Sequence, residues 1–283
     1  MIYGNEEAQK LVKDWLETEK RGALLIAGPE GVGKFSFVKE FLKTKIDWEV
    51  ITLRSEKKMF YIETARFFTK ITQTKTKNKR VILIDEVHKF REESQNVLLK
   101  TIEEPSSTTL FVLISHRTQK ILPTIRSRSL AVKFTFVPQE LNFKFLKEKN
   151  FSEAEIDFAL LFYPYQPGKA YHLIKDKHKI DFFKRFLNLS TTAEKIEILK
   201  EATSYFKLDE NLNFSDKFSK IYKEIIEILI LKKRKNLIEK LKNKKQLNYH
   251  EIEEIKELID FYNETEYDYH WFLQLTNFLL TYG

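Results

Sequence analysis

The chain has no cysteine among its 283 residues. That absence excludes disulfides, cysteine-ligated zinc and thiol catalysis together. Glycine and proline are scarce, at 7 and 6, and neither occurs between residues 169 and 282, so the helices of that stretch can be long. There is no run of about 18 apolar residues, so no membrane-spanning helix is expected. The opening MIYGNEEAQKLVKDWLE carries charges at helical spacing and lacks the apolar centre of a signal peptide. The expectation is a soluble, cytoplasmic protein without membrane contact. The histidines (His88, His116, His172, His178, His250 and His270) are scattered and form no metal-ligand spacing, so no metal site is expected from them.

What is present suits a globular chain. Hydrophobic residues make up 42%, enough to exclude a disordered protein, and the length allows two or three domains. The net charge of +8 is unevenly placed. Residues 181–283 hold 17 Lys and Arg against 18 Asp and Glu, leaving 32 basic and 23 acidic residues in 1–180. A basic N-terminal part suits a polyanionic partner such as nucleic acid or nucleotide. Solvated lysines are the plain alternative.

Residues 6–20 have the spacing of an amphipathic helix, with Ala8, Leu11, Val12, Trp15 and Leu16 on one face. Short apolar runs at 22–28, 48–52, 80–86 and 109–115 predict four strands, and helical patterns at 35–42, 57–73 and 91–105 separate them. Strands without alternation, divided by helices, predict a parallel sheet with helices on both faces, filling residues 1–137. From Pro138 the strand signals fade. Helices are predicted over 139–149 and 152–162, the second opened by a capping box of Ser152 and Glu155, and YPYQPGKAYHLIKD (163–176) reads as a Pro/Gly turn leading into a third. Residues 181–283 show helical periodicity throughout.

Two motifs carry chemistry. GPEGVGKF (28–35) has the spacing of a phosphate-binding loop, G-x-x-x-x-G-K-[ST], between a strand and a helix. In such a loop backbone N–H groups converge on the phosphates and the lysine neutralises them. Gly28, Gly31, Gly33 and Lys34 are the candidates. The Mg²⁺-ligating hydroxyl is missing, because Phe35 occupies its position and Ser36 comes one helical step late. A glycine-rich turn without ligand is the competing reading. The second motif, VILIDEVH (81–88), ends a buried strand in Asp85, a position that can hold Mg²⁺, and Glu86, a position that can polarise an attacking water. A strand ending in solvated carboxylates is the alternative. The two motifs in this order indicate a nucleotide-binding phosphate-loop fold.

NVLLKTIEEP (96–105), TIRSRS (124–129), PGKA (167–170) and the opening YGNEEAQKLVKDWLE resemble the bacterial DNA polymerase III clamp-loader subunits, a branch of the AAA+ ATPases. The resemblance spans residues 2 to about 178. It implies an AAA+ α/β domain (1–137), a small helical lid (138–180) and an all-α collar (181–283) that joins subunits. Three departures resemble the non-hydrolysing delta-prime type of the family: Phe35 at the magnesium position, Gly168 where the motor subunits' lid pattern M-R-D-A has arginine, and no long C-terminal extension. Lys34 and an intact Asp85-Glu86-Val87-His88 box go the other way, so ATP or ADP with Mg²⁺, bound without hydrolysis, stays compatible. The four-cysteine zinc module of the family is absent.

The resemblance further implies that Arg128, in the SRS of residues 127–129, reaches into a neighbouring motor's ATP site as a trans-acting arginine finger, with Arg126 as rival. Ser115 matches a polar sensor position, with His116 as rival. The implied partners are motor and delta subunits in a hetero-pentamer, and through them the sliding clamp and primed DNA. An ATP-hydrolysing motor subunit is the main alternative, and another AAA+ DNA-processing ATPase the more distant one. The basic runs KTKNKR (75–80) and KKRKNLIEKLKNKK (232–245) read as a solvated turn and as helical pairing or a solvated face. The apolar EIIEILILKK (224–233) is a candidate for helix contacts in the collar.

Overall fold

Apolar runs that lack alternation must be covered on both faces, and a parallel sheet between two helical layers does this. The computed structural model describes residues 3–19, 21–54, 62–73, 78–103 and 108–188, with isolated helical positions between 194 and 256. The four expected strands are present as β1 Gly22–Ala27, β2 Glu49–Leu53, β3 Arg80–Ile84 and β4 Thr109–Ser115. A fifth that the sequence pattern does not announce, β5 Ser129–Lys133, joins them. Only Val132 of β5 is buried, as suits an edge strand. All five pair in parallel in the order β2-β3-β4-β1-β5.

The period of two along each strand divides the apolar residues between two cores. Leu24, Ile26, Val81, Leu83, Val112 and Ile114 face one, together with Val12 and Leu16 of α1 Glu6–Thr18 and Val38 and Leu42 of α2 Lys34–Lys43. Ala23, Leu25, Ile82, Ile84, Phe111 and Leu113 face the other. There they meet Ala65 of α3 Ile62–Gln73, Leu98 and Ile102 of α4 Glu92–Glu103, and Ile125 of α5 Pro123–Ser127. Residues 57–61 of the expected third helix, and Pro105 after the fourth, lie outside the described residues.

Past the sheet come α6 Gln139–Glu148, α7 Glu153–Phe162, α8 Pro167–Lys175 and α9 Lys177–Asn188. The capping box forms as the sequence predicts: Ser152 Oγ accepts the Glu155 N–H, and the Glu155 carboxylate accepts the Ser152 N–H at 3.0 Å. By compactness the chain divides into Met1–Lys149 with Tyr165–Lys169, and Asn150–Pro164 with Ala170–Gly283. The second unit has its own core, which includes Ile156, Phe162, Leu173, Phe182, Phe183 and Phe186. The expected collar beyond Asn188, with both of its singled-out stretches, lies outside the described residues apart from those isolated positions. No described helix is long and apolar enough to cross a membrane.

Gly28, where β1 leaves the sheet, is held to glycine by packing. Its φ is 142°, and a Cβ there would stand 2.2 Å from the Phe134 carbonyl oxygen, which belongs to backbone and cannot swing aside. Gly28→Ala is expected to cost about 3 kcal/mol or more. Chemical denaturation of the variant checks this, with a loss under about 1 kcal/mol as the contrary result.

Candidate phosphate-loop site

The parallel register decides which residues meet at the C-terminal edge of the sheet, where ligands of open α/β folds bind. Leu53 pairs with Ile84, Ile84 with Leu113, and Ala27 with Ser115. Within two residues of these pairs stand Arg54, Asp85, Glu86, Ser115, His116 and Gly28. Five of these are expected site residues or their stated rivals; Arg54 is not.

The loop keeps the features that bind phosphate. Gly33 caps α2 in the left-handed conformation, and no side chain occupies the helix N-terminus as a cap. Such a terminus presents N–H groups to an anion. Lys34 is buried, and its Nζ donates to the Gly28 and Pro29 carbonyls at 2.7 and 2.6 Å. Desolvation lowers the lysine's pKa, opposed by Glu86, Asp85 and Glu30. On the loop's outer side Gly31 meets Gly168: the Gly168 N–H donates to the Gly31 carbonyl at 2.7 Å, and a Cβ on Gly168 would come within 2.9 Å of that oxygen. The position where the motor subunits carry an arginine is therefore pressed against loop backbone and has no room for a side chain.

The magnesium half does not fit. The Phe35 ring offers no oxygen, and Ser36 is exposed. In place of a metal, the Arg54 guanidinium lies 4.8 Å from the centre of the Phe35 ring, and its Nε is 3.4 Å from Asp85 Oδ2. An aromatic face beside a carboxylate is a favourable seat for a planar cation. Asp85 is buried, and desolvation and then Glu86 push its pKa from 3.8 up to about 6, against the pull of Arg54 and Lys34.

Glu86 belongs to a different cluster. Its φ of 59° is left-handed, while among the described residues the other non-glycine residues with positive φ are Asn5 and Asn150, a residue type that tolerates it. Its Oε2 lies 2.7 Å from His116 Nδ1 and 3.3 Å from His88 Nε2. Burial works to raise the pKa of Glu86, yet the two histidines carry the net shift downward. His88 is itself pushed down to about 4, mainly by burial, and is neutral at physiological pH. Ser115, the expected sensor, places Oγ 3.0 Å from His88 Nδ1 and accepts the Arg117 N–H. Arg128 takes no part in either cluster. It follows α5 at the surface, with Nε 2.7 Å from Glu103 Oε1 and the side chain 45% exposed, and Arg126 is exposed too.

The family described as DNA polymerase III, delta subunit, matches residues 43–138. The gamma subunit of DNA polymerase III from Buchnera aphidicola is 33% identical over 165 residues, covering 53% of this chain and 45% of that protein. The delta′ subunit from Pseudomonas aeruginosa is 42% identical over 50 residues, 18% of this chain and 15% of that protein. Over part of its length the chain is thus similar to DNA polymerase III clamp-loader subunits. A gamma-subunit-related protein from Thermotoga maritima shares the fold, with a TM-score of 0.56 at 18% identity over 97% of this chain and 98% of that one. The chain matches less than half the length of the gamma relative. The site is mixed: a glycine loop and buried lysine with the geometry of a phosphate cradle stand beside an acid paired with arginine.

A carboxylate whose pKa is raised by folding binds more protons in the native state, so its contribution to stability falls as pH rises from about 4 to about 7. Asp85→Asn removes that loss. Relative to wild type, the variant is expected to gain roughly 2 kcal/mol across this range, read from denaturation curves at each pH. A difference that stays constant with pH contradicts the assignment.

Proposed function

We propose that this chain is a delta-prime-type clamp-loader subunit, which hydrolyses no ATP itself and braces the complex. The observation that carries the reading is the Phe35–Arg54–Asp85 arrangement. Transfer of a γ-phosphoryl group depends on a metal that bridges the phosphates and neutralises developing charge. Here Phe35 cannot ligate one, and the acid that would hold one is paired with a guanidinium. The Gly31–Gly168 contact supports the same reading, since it leaves no space for a lid arginine. Lys34 and the open start of α2 allow a nucleotide to bind passively. In this reading the partners are motor and delta subunits in a hetero-pentamer of the bacterial cytoplasm, acting on a sliding clamp and primed DNA.

Arg128 is the group the subunit offers to a neighbour. Its ion pair with Glu103 is half-exposed, and exposed pairs contribute only about 0–1 kcal/mol, so the guanidinium is released at little cost. Placed against a neighbour's γ-phosphate it stabilises the charge of the transition state. A motor subunit is the competing reading, favoured by the retained Lys34 and Glu86.

Nucleotide titration of the isolated chain separates the two. Binding of ATP or ADP is expected to change by less than about twofold when Mg²⁺ is added, an effect under about 0.4 kcal/mol, and no turnover is expected. Steady hydrolysis that disappears in Lys34→Ala would overturn the non-hydrolysing assignment. In the reconstituted complex, Arg128→Ala is expected to lower DNA-stimulated ATPase by one site's share while the assembly persists on gel filtration. Unchanged turnover would remove the finger role.

A further inference from the structure

We propose that Glu86, His88 and His116 form a site for one divalent transition-metal ion of the zinc type, distinct from any Mg²⁺ of a nucleotide. The three residues come from two places in the chain, the turn after β3 and the residue after β4, and the sheet register brings them together. Their donor atoms all lie within 4.8 Å of one another. One carboxylate oxygen and two imidazole nitrogens suit zinc, cobalt or nickel, whereas Mg²⁺ requires an octahedron of oxygens.

The spacing fits a common ion. Donors bound to zinc at tetrahedral angles stand about 3.3 Å apart. Glu86 Oε2 and His88 Nε2 are 3.3 Å apart, and Glu86 Oε2 and His116 Nδ1, at 2.7 Å, need to open by about half an ångström. That shorter pair is also the more telling. Both atoms are buried, and neither has a hydrogen-bond partner outside the cluster. Buried polar atoms are ordinarily satisfied by several partners, and donors that have only one another converge as co-ligands do.

The surroundings supply the support that metal-bound histidines need. A ligating imidazole almost always donates its second N–H to a fixed acceptor, which sets the tautomer. His88 Nδ1 has Ser115 Oγ at 3.0 Å, so an Nδ1–H directed there leaves the Nε2 lone pair facing Glu86. Ser115 is itself held by the Arg117 N–H and is wholly buried. The His88 and His116 rings meet edge to face at 4.5 Å, so neither turns independently. Three protein ligands leave a fourth position for water or an incoming group. The left-handed backbone of Glu86, costly for this residue type, is what turns its carboxylate to the histidines. With a metal in place, Glu86 could not serve as a base toward a nucleotide.

The test uses the full chain, stripped with chelator and titrated with Co²⁺ or Zn²⁺. One equivalent of Co²⁺ should give the visible d–d bands of a low-coordinate site, and Zn²⁺ should displace it while excess Mg²⁺ does not. His88→Ala, His116→Ala and Glu86→Gln should each weaken Zn²⁺ binding at least about tenfold, and Ser115→Ala, which touches no metal, about tenfold. His178→Ala, at an exposed histidine outside the site, should change nothing. Absence of the cobalt bands in the wild-type chain overturns the proposal whether or not any variant folds. So does binding that His178→Ala weakens as much as His116→Ala.

Discussion

Asp85 is a carboxylate drawn out of water at the end of a strand buried on both faces, and its need for a counter-charge organises the site. Asp85 directly follows Ile84, the last residue of a strand flanked by β2 and β4, and is itself buried. A buried anion keeps its charge only beside a cation. In an active phosphate-loop enzyme a magnesium ion near such an acid meets that need. Here Arg54 meets it from the end of the neighbouring strand, and Phe35 presents the ring on which the guanidinium rests. Phe35 and Arg54 therefore make one solution: a cation built into the chain instead of one brought by a ligand.

Around that solution the loop retains its shape for reasons independent of nucleotide. Gly28 is required by the Phe134 carbonyl, and Gly31 by its positive φ and its contact with Lys169. Phe35 itself packs against the core beneath α2. A loop whose glycines are demanded by packing keeps its geometry whatever its chemistry, which accounts for three of the four specified motif positions surviving beside Phe35. Retained Lys34 has the same double character. Its ammonium is satisfied by two loop carbonyls, so the residue contributes to the turn with or without phosphate.

The sequence made the strand–turn–helix frame legible because its signals are local: apolar runs four to seven residues long, punctuated by glycine and charge. The match at 109–115, and the agreement at the other three strands to within two residues, follow from that. β5 was not legible, since SLAVK buries only one side chain and lacks the apolar run that a central strand shows. Arg54 was illegible for another reason. Nothing near it in the chain marks it, and it becomes a partner of Asp85 only once β2 is known to lie beside β3 with Leu53 opposite Ile84. Spacing also failed for the histidines. His88 and His116 are separated by a helix and a strand, and a rule about ligands one turn apart cannot see a pair made by sheet register.

The same register divides the labour of two consecutive acids. Asp85 continues the line of β3 toward Arg54, whereas Glu86 leaves it through a left-handed turn and meets the histidines beside β4. Two adjacent carboxylates with a shared cation would repel each other at close range, and Glu86 does raise the pKa of Asp85. Giving each its own partner relieves that repulsion and separates the functions the pair combines in a hydrolysing site. Neither Mg²⁺ nor a poised water is then needed to keep both charges in place. On the proposed non-hydrolysing reading, such a site keeps the phosphate-loop fold in shape without a ligand, because each acid already has a side-chain partner.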